Sequence, residues 1–241
     1  KLKDITSYVA TDGIPESAVV RMAKLGVVID RFVSENDLDA TALQCWTSME
    51  EYFGVVPCTV MSILSNSLKP SACEVDVTGA LSMYALQLAS GSPSALLDWN
   101  NNFADDPDSC VLFHCSNLPK SVFCDMKMDF QEIIAGELGK ENTFGTCVGR
   151  IKPGPFTFAR FTTDDTSGSL LGYVGEGEFA DKAVETFGGY GVARIPDLQG
   201  LLKFICMSGF EHHVAVNLSQ TADILNEALT TYLGIDTYCH R

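Results

Sequence analysis

A change of hydrophobic rhythm at Ser90-Gly91-Ser92-Pro93 divides this sequence and limits what it can fold into. Before it, apolar residues recur at helical spacing; after it, they come in short runs separated by turn residues. Pro15 to about Asn36 carries Val19, Val20, Met22, Ala23, Val27, Val28 and Phe32 on a helical period. Further helices are expected over Asp39–Phe53, Pro57–Leu68 and Cys73–Leu88, with Pro57 suited to a first turn. Beyond the break, strands are expected over Ala95–Asn100, Cys110–His114, Phe144–Val148, Phe156–Thr162 and Leu170–Gly175. The last two are joined by a hairpin loop, Thr163–Gly168. A helical or irregular segment over Asp197–Met207, a strand at Val214–Val216 and an amphipathic helix over Thr221–Leu233 close the chain. The glycines at 172–177 and 188–191 read as turns, since neither group follows a strand and opens a helix as a phosphate loop does. The fold class is therefore α/β (α+β): a helical part over residues 1–90 and a β-rich part over 91–241.

Charge and cysteine usage exclude several functions. With 31 acidic against 16 basic residues, the net charge of -15 repels phosphate backbones and anionic lipid, so neither nucleic acid nor membrane is an expected partner. No apolar run approaches the roughly 20 residues that span a bilayer. The nine cysteines are odd in number, lack a C-x-x-C pair and mostly sit in apolar runs. Free buried thiols in a reducing cytoplasm account for this better than a disulfide framework. The chain opens at Lys1 and runs into Thr11-Asp12-Gly13-Ile14-Pro15, which reads as an internal cut in a longer protein.

Few residues offer chemistry. The histidines are His114, His212, His213 and His240. Glu74 and Asp98 are carboxylates in largely apolar surroundings, where an unpaired charge is costly unless a cation is near. Each also has a structural reading: Glu74 as a first-turn acid favoured by the helix dipole, Asp98 as a strand-end acid opening a turn. His114 on its apolar strand is either a hydrogen-bonded core residue or a ligand. Of His212 and His213, adjacent on a strand, one at most is expected to face a given site. A single imidazole with carboxylates suits Mn²⁺, Co²⁺ or Mg²⁺, and no cysteines stand at zinc-ligand spacing.

Cys73-Glu74-Val75-Asp76, Asp98-Trp99-Asn100-Asn101, Phe113-His114-Cys115-Ser116-Asn117 and Gly209-Phe210-Glu211-His212-His213-Val214-Ala215 together resemble, in order, the L-fucose isomerase family. The resemblance covers essentially the whole chain and implies the C-terminal half of such an enzyme. Residues 1–90 would then be the remnant of a helical α/β domain, and 91–241 a β-rich, barrel-like C-terminal isomerase domain. It implies Glu74, Asp98 and His213 as metal ligands, with Mn²⁺ the favoured ion and Co²⁺ or Mg²⁺ as substitutes. Glu74 and Asp98 would also be the catalytic acid/base pair, moving a proton between C1 and C2 of a free sugar through a cis-enediol. His114, Trp99, Asn100 and His212 are the expected substrate contacts. A cytoplasmic homo-oligomer is implied, whose cleft is completed by a neighbouring subunit and by N-terminal domains, leaving this fragment inactive alone. Two features depart from the pattern: the Asp98-to-His213 stretch is short, and related arabinose isomerases have glutamate where Asp98 stands. The rival reading is a non-catalytic sugar- or metal-binding module derived from the same fold.

Overall fold

The break at Gly91 is a helix end: Gly91 adopts φ 67°, a left-handed cap that glycine takes at no steric cost. A computed structural model describes all 241 residues. Ahead of the break lie α1 (Leu2–Tyr8), α2 (Glu16–Glu35), β1 (Thr41–Ala42), α3 (Ser48–Phe53), α4 (Cys58–Asn66), β2 (Ser71–Ala72) and α5 (Val77–Ser90). After it come β3 (Ala95–Asn102), β4 (Ser109–His114), β5 (Lys127–Phe130), α6 (Glu132–Leu138), β6 (Phe144–Arg150), β7 (Gly154–Asp164), β8 (Ser169–Ala180) and β9 (Gly189–Arg194). The chain closes with α7 (Leu198–Met207), β10 (His213–Asn217), α8 (Ala222–Glu227) and β11 (Asp236–Cys239). No helix is long and apolar enough to cross a membrane, and all nine cysteines are free.

The mixed α/β class expected from the sequence is the one adopted. Nine strands form one mixed sheet in the order β11-β8-β7-β10-β3-β4-β9-β6-β5, and an extra β8–β9 pairing closes six of them into a ring. The ring falls short of a true barrel. Its inner side is filled by Leu97, Leu112, Phe156, Phe158, Tyr173, Val214 and Val216. Residues of opposite parity, Leu96, Ala159, Phe161 and Ala215, pack outward against Ala80, Met83 and Leu86 of α5. Truncating a buried leucine such as Leu86 to alanine in such a contact costs about 2–5 kcal/mol. The apolar face of α5 is thus fixed on β7 and β10, which fixes where its N-terminus points.

Three local expectations are corrected. Asp39–Phe53 is not one helix: Thr41–Ala42 pairs in parallel with Ser71–Ala72, and only Ser48–Phe53 coils. A short tertiary pairing overrides local helical preference there. Neither glycine group forms a turn: residues 172–177 lie inside β8, paired with β7, and Gly189–Arg194 is a strand pairing with β4, β6 and β8. Its glycine is needed for close packing, since a Cβ on Gly191 would sit 2.6 Å from the Phe179 ring. Finally, α5 starts at Val77 rather than Cys73, which changes the setting of Glu74.

Glu50, in α3, is fully buried and neither carboxylate oxygen has a hydrogen-bond partner. Burial pushes its carboxyl up to about 7. Because the folded chain holds this proton more tightly than the unfolded chain does, stability is full below the ordinary glutamate range and is lost as pH rises toward and through 7. Glu50→Gln is expected to raise stability at pH 8 by up to roughly 3 kcal/mol and to change it little at pH 4. Thermal unfolding across that pH range checks this; equal effects at both ends would contradict it.

Candidate metal centre

The site forms where three elements meet: the loop before α5, the paired strands β3 and β10, and the end of β4. Asp98 and His213 are directly opposite in the antiparallel β3–β10 ladder, and Asp98 is also opposite Phe113 on β4. Directly opposed residues bring their side chains together. His213 Nε2 lies 3.3 Å from Asp98 Oδ1 and 4.0 Å from Glu74 Oε2. The His114 and His213 rings stand 6.0 Å apart. Two groupings have ligand atoms within 4.8 Å of one another: Glu74 with His114 and His213, and Asp98 with His212 and His213. His213 is common to both.

Glu74 is not a first-turn helix acid. Glu74 and Val75 are consecutive left-handed residues, φ 60° and 56°, in a loop before the helix cap. This conformation is costly for a non-glycine residue, above all for a β-branched one. It is held by hydrogen bonds from Val75 N–H to Leu43 O and from Asp76 N–H to Cys73 O. The capping role falls to Asp76, whose Oδ1 accepts from Gly79 N–H at 2.7 Å.

The expected substrate contacts divide. His114 is buried and His212 lies at the rim, its Nε2 3.2 Å from Asp98 Oδ1. His212 and His213 therefore both approach Asp98, with rings 4.4 Å apart. Strand alternation does not separate them because β10 begins only at His213. Trp99 points the other way from Asp98, as its strand neighbour must: its indole donates to Tyr173 Oη at 3.0 Å and packs against the inner core. Asn100 is exposed and accepts from the Asn101 N–H. Two residues near the centre had not been singled out. Asp76 accepts from His213 Nδ1 at 2.8 Å, and the buried Arg160 pairs with Asp76.

The cluster could hold a cation. His213 Nε2 and His114 Nε2 are both buried without a hydrogen-bond partner. An orphaned buried nitrogen is costly unless a bound group satisfies it. Because Nδ1 of His213 is turned to Asp76, Nε2 is the nitrogen that could face a metal once its proton is displaced. Burial acts to lower the His213 pKa, but the hydrogen bond to Asp76 and the nearby Asp98 raise it to about 9. For His114 burial likewise lowers, and Cys115 and Asp98 outweigh it, again to about 9. Burial acts to raise Asp98, yet His213, His114 and His212 together hold it below the usual carboxylate range.

Comparison with known proteins matches residues 112–240, more than half the chain, to the family described as L-fucose isomerase, C-terminal domain. A sulfoquinovose isomerase of Priestia aryabhattai is 26% identical over 100 residues, 42% of this chain and 22% of that protein. One from Alkalicoccus urumqiensis is 29% identical over 100 residues, 42% of this chain and 23% of the relative. One from Clostridium sp. is 38% identical over 77 residues, 32% of this chain and 17% of the relative. The chain covers less than a quarter of the length of these relatives.

In the metal-free protein at pH 7.5 His213, raised above that pH, holds a proton on Nε2 as well as Nδ1, and a cation must displace the Nε2 proton. Binding of Mn²⁺ is therefore expected to release about one proton, with affinity rising about tenfold per pH unit between pH 6 and 9. Calorimetry in buffers of different ionisation enthalpy measures this. Identical apparent enthalpies in all buffers would contradict it.

Proposed function

The chain belongs to the L-fucose isomerase family, and from that premise we propose that it carries the metal site and the acid/base pair of an aldose–ketose isomerase acting on a free sugar. The observation that carries this reading is the pair of buried, unpartnered imidazole nitrogens of His114 and His213 beside the Glu74 and Asp98 carboxylates. Glu74, Asp98 and His213 would hold a divalent ion; one imidazole with carboxylates favours Mn²⁺, with Co²⁺ or Mg²⁺ able to substitute. When bound, that ion supplies Lewis-acid polarisation of the sugar's O1 and O2.

The proton work belongs to the side chains. Asp98 stays ionised under the influence of its three histidines, so it is ready to accept a proton. Glu74, 35% exposed on its strained loop, reaches toward His213 from another element and would approach the substrate from a different side. One carboxylate takes the proton from C2 while the other supplies a proton to O1, giving the cis-enediol; delivery of the first proton to C1 and loss of the O2 proton to the second carboxylate then give the ketose. His212 and His114 would donate to sugar hydroxyls around the same centre. Trp99 and Asn100 take no part in this scheme.

The substrate class is an aldose. The relatives' name makes sulfoquinovose one candidate, alongside L-fucose and L-arabinose. The test is turnover by the full-length protein loaded with Mn²⁺, followed by NMR in D₂O with these three sugars. Ketose formation with solvent deuterium entering at C1 or C2 is expected for at least one of them. Glu74→Gln and Asp98→Asn should each lower turnover by roughly 10²–10⁴-fold. Undiminished turnover in Glu74→Gln would overturn the assignment, and sugar binding without turnover in the parent would favour a binding module instead.

A further inference from the structure

Asp76 is the most heavily engaged carboxylate in the molecule. Its Oδ1 accepts from Gly79 N–H at 2.7 Å and from Thr78 Oγ1 at 3.2 Å. Its Oδ2 accepts from His213 Nδ1 at 2.8 Å and from Arg160 Nη1. Arg160, on β7, is 1% exposed, and its other terminal nitrogen reaches Thr78 Oγ1 and Glu211 Oε2, each at 3.1 Å. Glu211 is itself held by Thr162 Oγ1 at 3.0 Å. The fold clears space for this arrangement: a Cβ at Gly79 would run into the Asp76 carboxylate and lie 2.9 Å from Arg160 Nη1.

A buried ion pair of this kind contributes little net stability, because desolvating both charges offsets their attraction. Its geometry has a different consequence. Arg160 and the α5 N-terminus lock the carboxylate in one orientation, with Oδ2 facing His213. A fixed acceptor at Nδ1 keeps the imidazole proton on that nitrogen and leaves Nε2 as the lone-pair donor.

We propose that Asp76, clamped by Arg160, is a positioning residue that sets the tautomer and ring orientation of His213 and so presents Nε2 to the cation. This rests on the reading above that His213 is a metal ligand. Arg160 acts only through Asp76.

Asp76→Asn separates this role from helix capping, since asparagine caps as well as aspartate. With its carbonyl kept by Gly79 N–H, the new amide turns its NH₂ toward His213 Nδ1. A donor there favours the opposite tautomer, with the proton on Nε2 where the cation would bind. The experiment has two readouts: Mn²⁺ affinity by calorimetry, and the His213 tautomer in the metal-free protein. The tautomer comes from long-range ¹⁵N–¹H spectra at a pH where the ring is neutral, with His213→Ala for assignment. The parent is expected to show Nδ1–H, and Asp76→Asn to show Nε2–H with Mn²⁺ binding weakened 10–100-fold. The double variant D76N/R160M removes both charges together and serves if the single variant does not fold; it should show the same tautomer and the same loss. A parent in the Nε2–H form, or variants that keep Nδ1–H or bind Mn²⁺ within threefold of the parent, would overturn the proposal. If the parent binds no Mn²⁺ at all, the metal-site reading fails, while the tautomer comparison still decides the role of Asp76.

Discussion

The hydrogen bond between His213 Nδ1 and Asp76 Oδ2 joins residues 137 positions apart in the chain, and the candidate centre depends on it. Neither end is placed by local sequence. His213 stands where it does because β10 inserts between β3 and β7, in a register that sets it opposite Asp98. Asp76 stands where it does because Met83 and Leu86 seat α5 on Ala215, Leu96 and Phe161. Apolar burial, worth roughly 25 cal/mol per Å², supplies the force, and the polar contact takes advantage of the resulting alignment. Rigid elements on both sides give the geometry its definition.

Strain is placed at the same centre. Two successive left-handed residues, Glu74 and Val75, cost on the order of 1–3 kcal/mol each. The surroundings hold them there: Leu43 O takes the Val75 N–H, and the β1–β2 pair ties residues 41–42 to residues 71–72 just before the loop. The result is a carboxylate carried by a loop yet held within 4.0 Å of an imidazole on the sheet. Orphaned nitrogens, a strained loop and a locked second carboxylate converge on one place, which core packing alone does not require.

Much of this could be read from sequence, and the failures have physical causes. The long amphipathic α2, the Gly91 stop and the alternating strands followed from periodicity and turn chemistry. Glu74, Asp98, His114 and His213 stood out because charged or imidazole side chains in apolar runs need a reason. That Asp98 and His213 are cross-strand partners was not legible, since register between strands so distant in sequence comes from the whole sheet. Placing the helix start at Cys73 hid Asp76, although Asp76-Val77-Thr78-Gly79 has the pattern of an acidic cap. Arg160, alone among Phe158, Ala159 and Phe161, carries the same signal as the other buried charges. Trp99 adjoins Asp98 in sequence, but strand parity turns it toward the inner core.

The central claim is that His213 Nε2 is the hub of a divalent-cation site shared with Glu74 and Asp98. Anomalous scattering from crystals of the protein grown with Mn²⁺ tests it most directly. A manganese peak is expected in direct coordination contact with His213 Nε2 and with a carboxylate oxygen of Glu74 or Asp98, while Nδ1 remains on Asp76. A peak elsewhere, or an Nε2 bonded to another protein atom with no ion beside it, would contradict it.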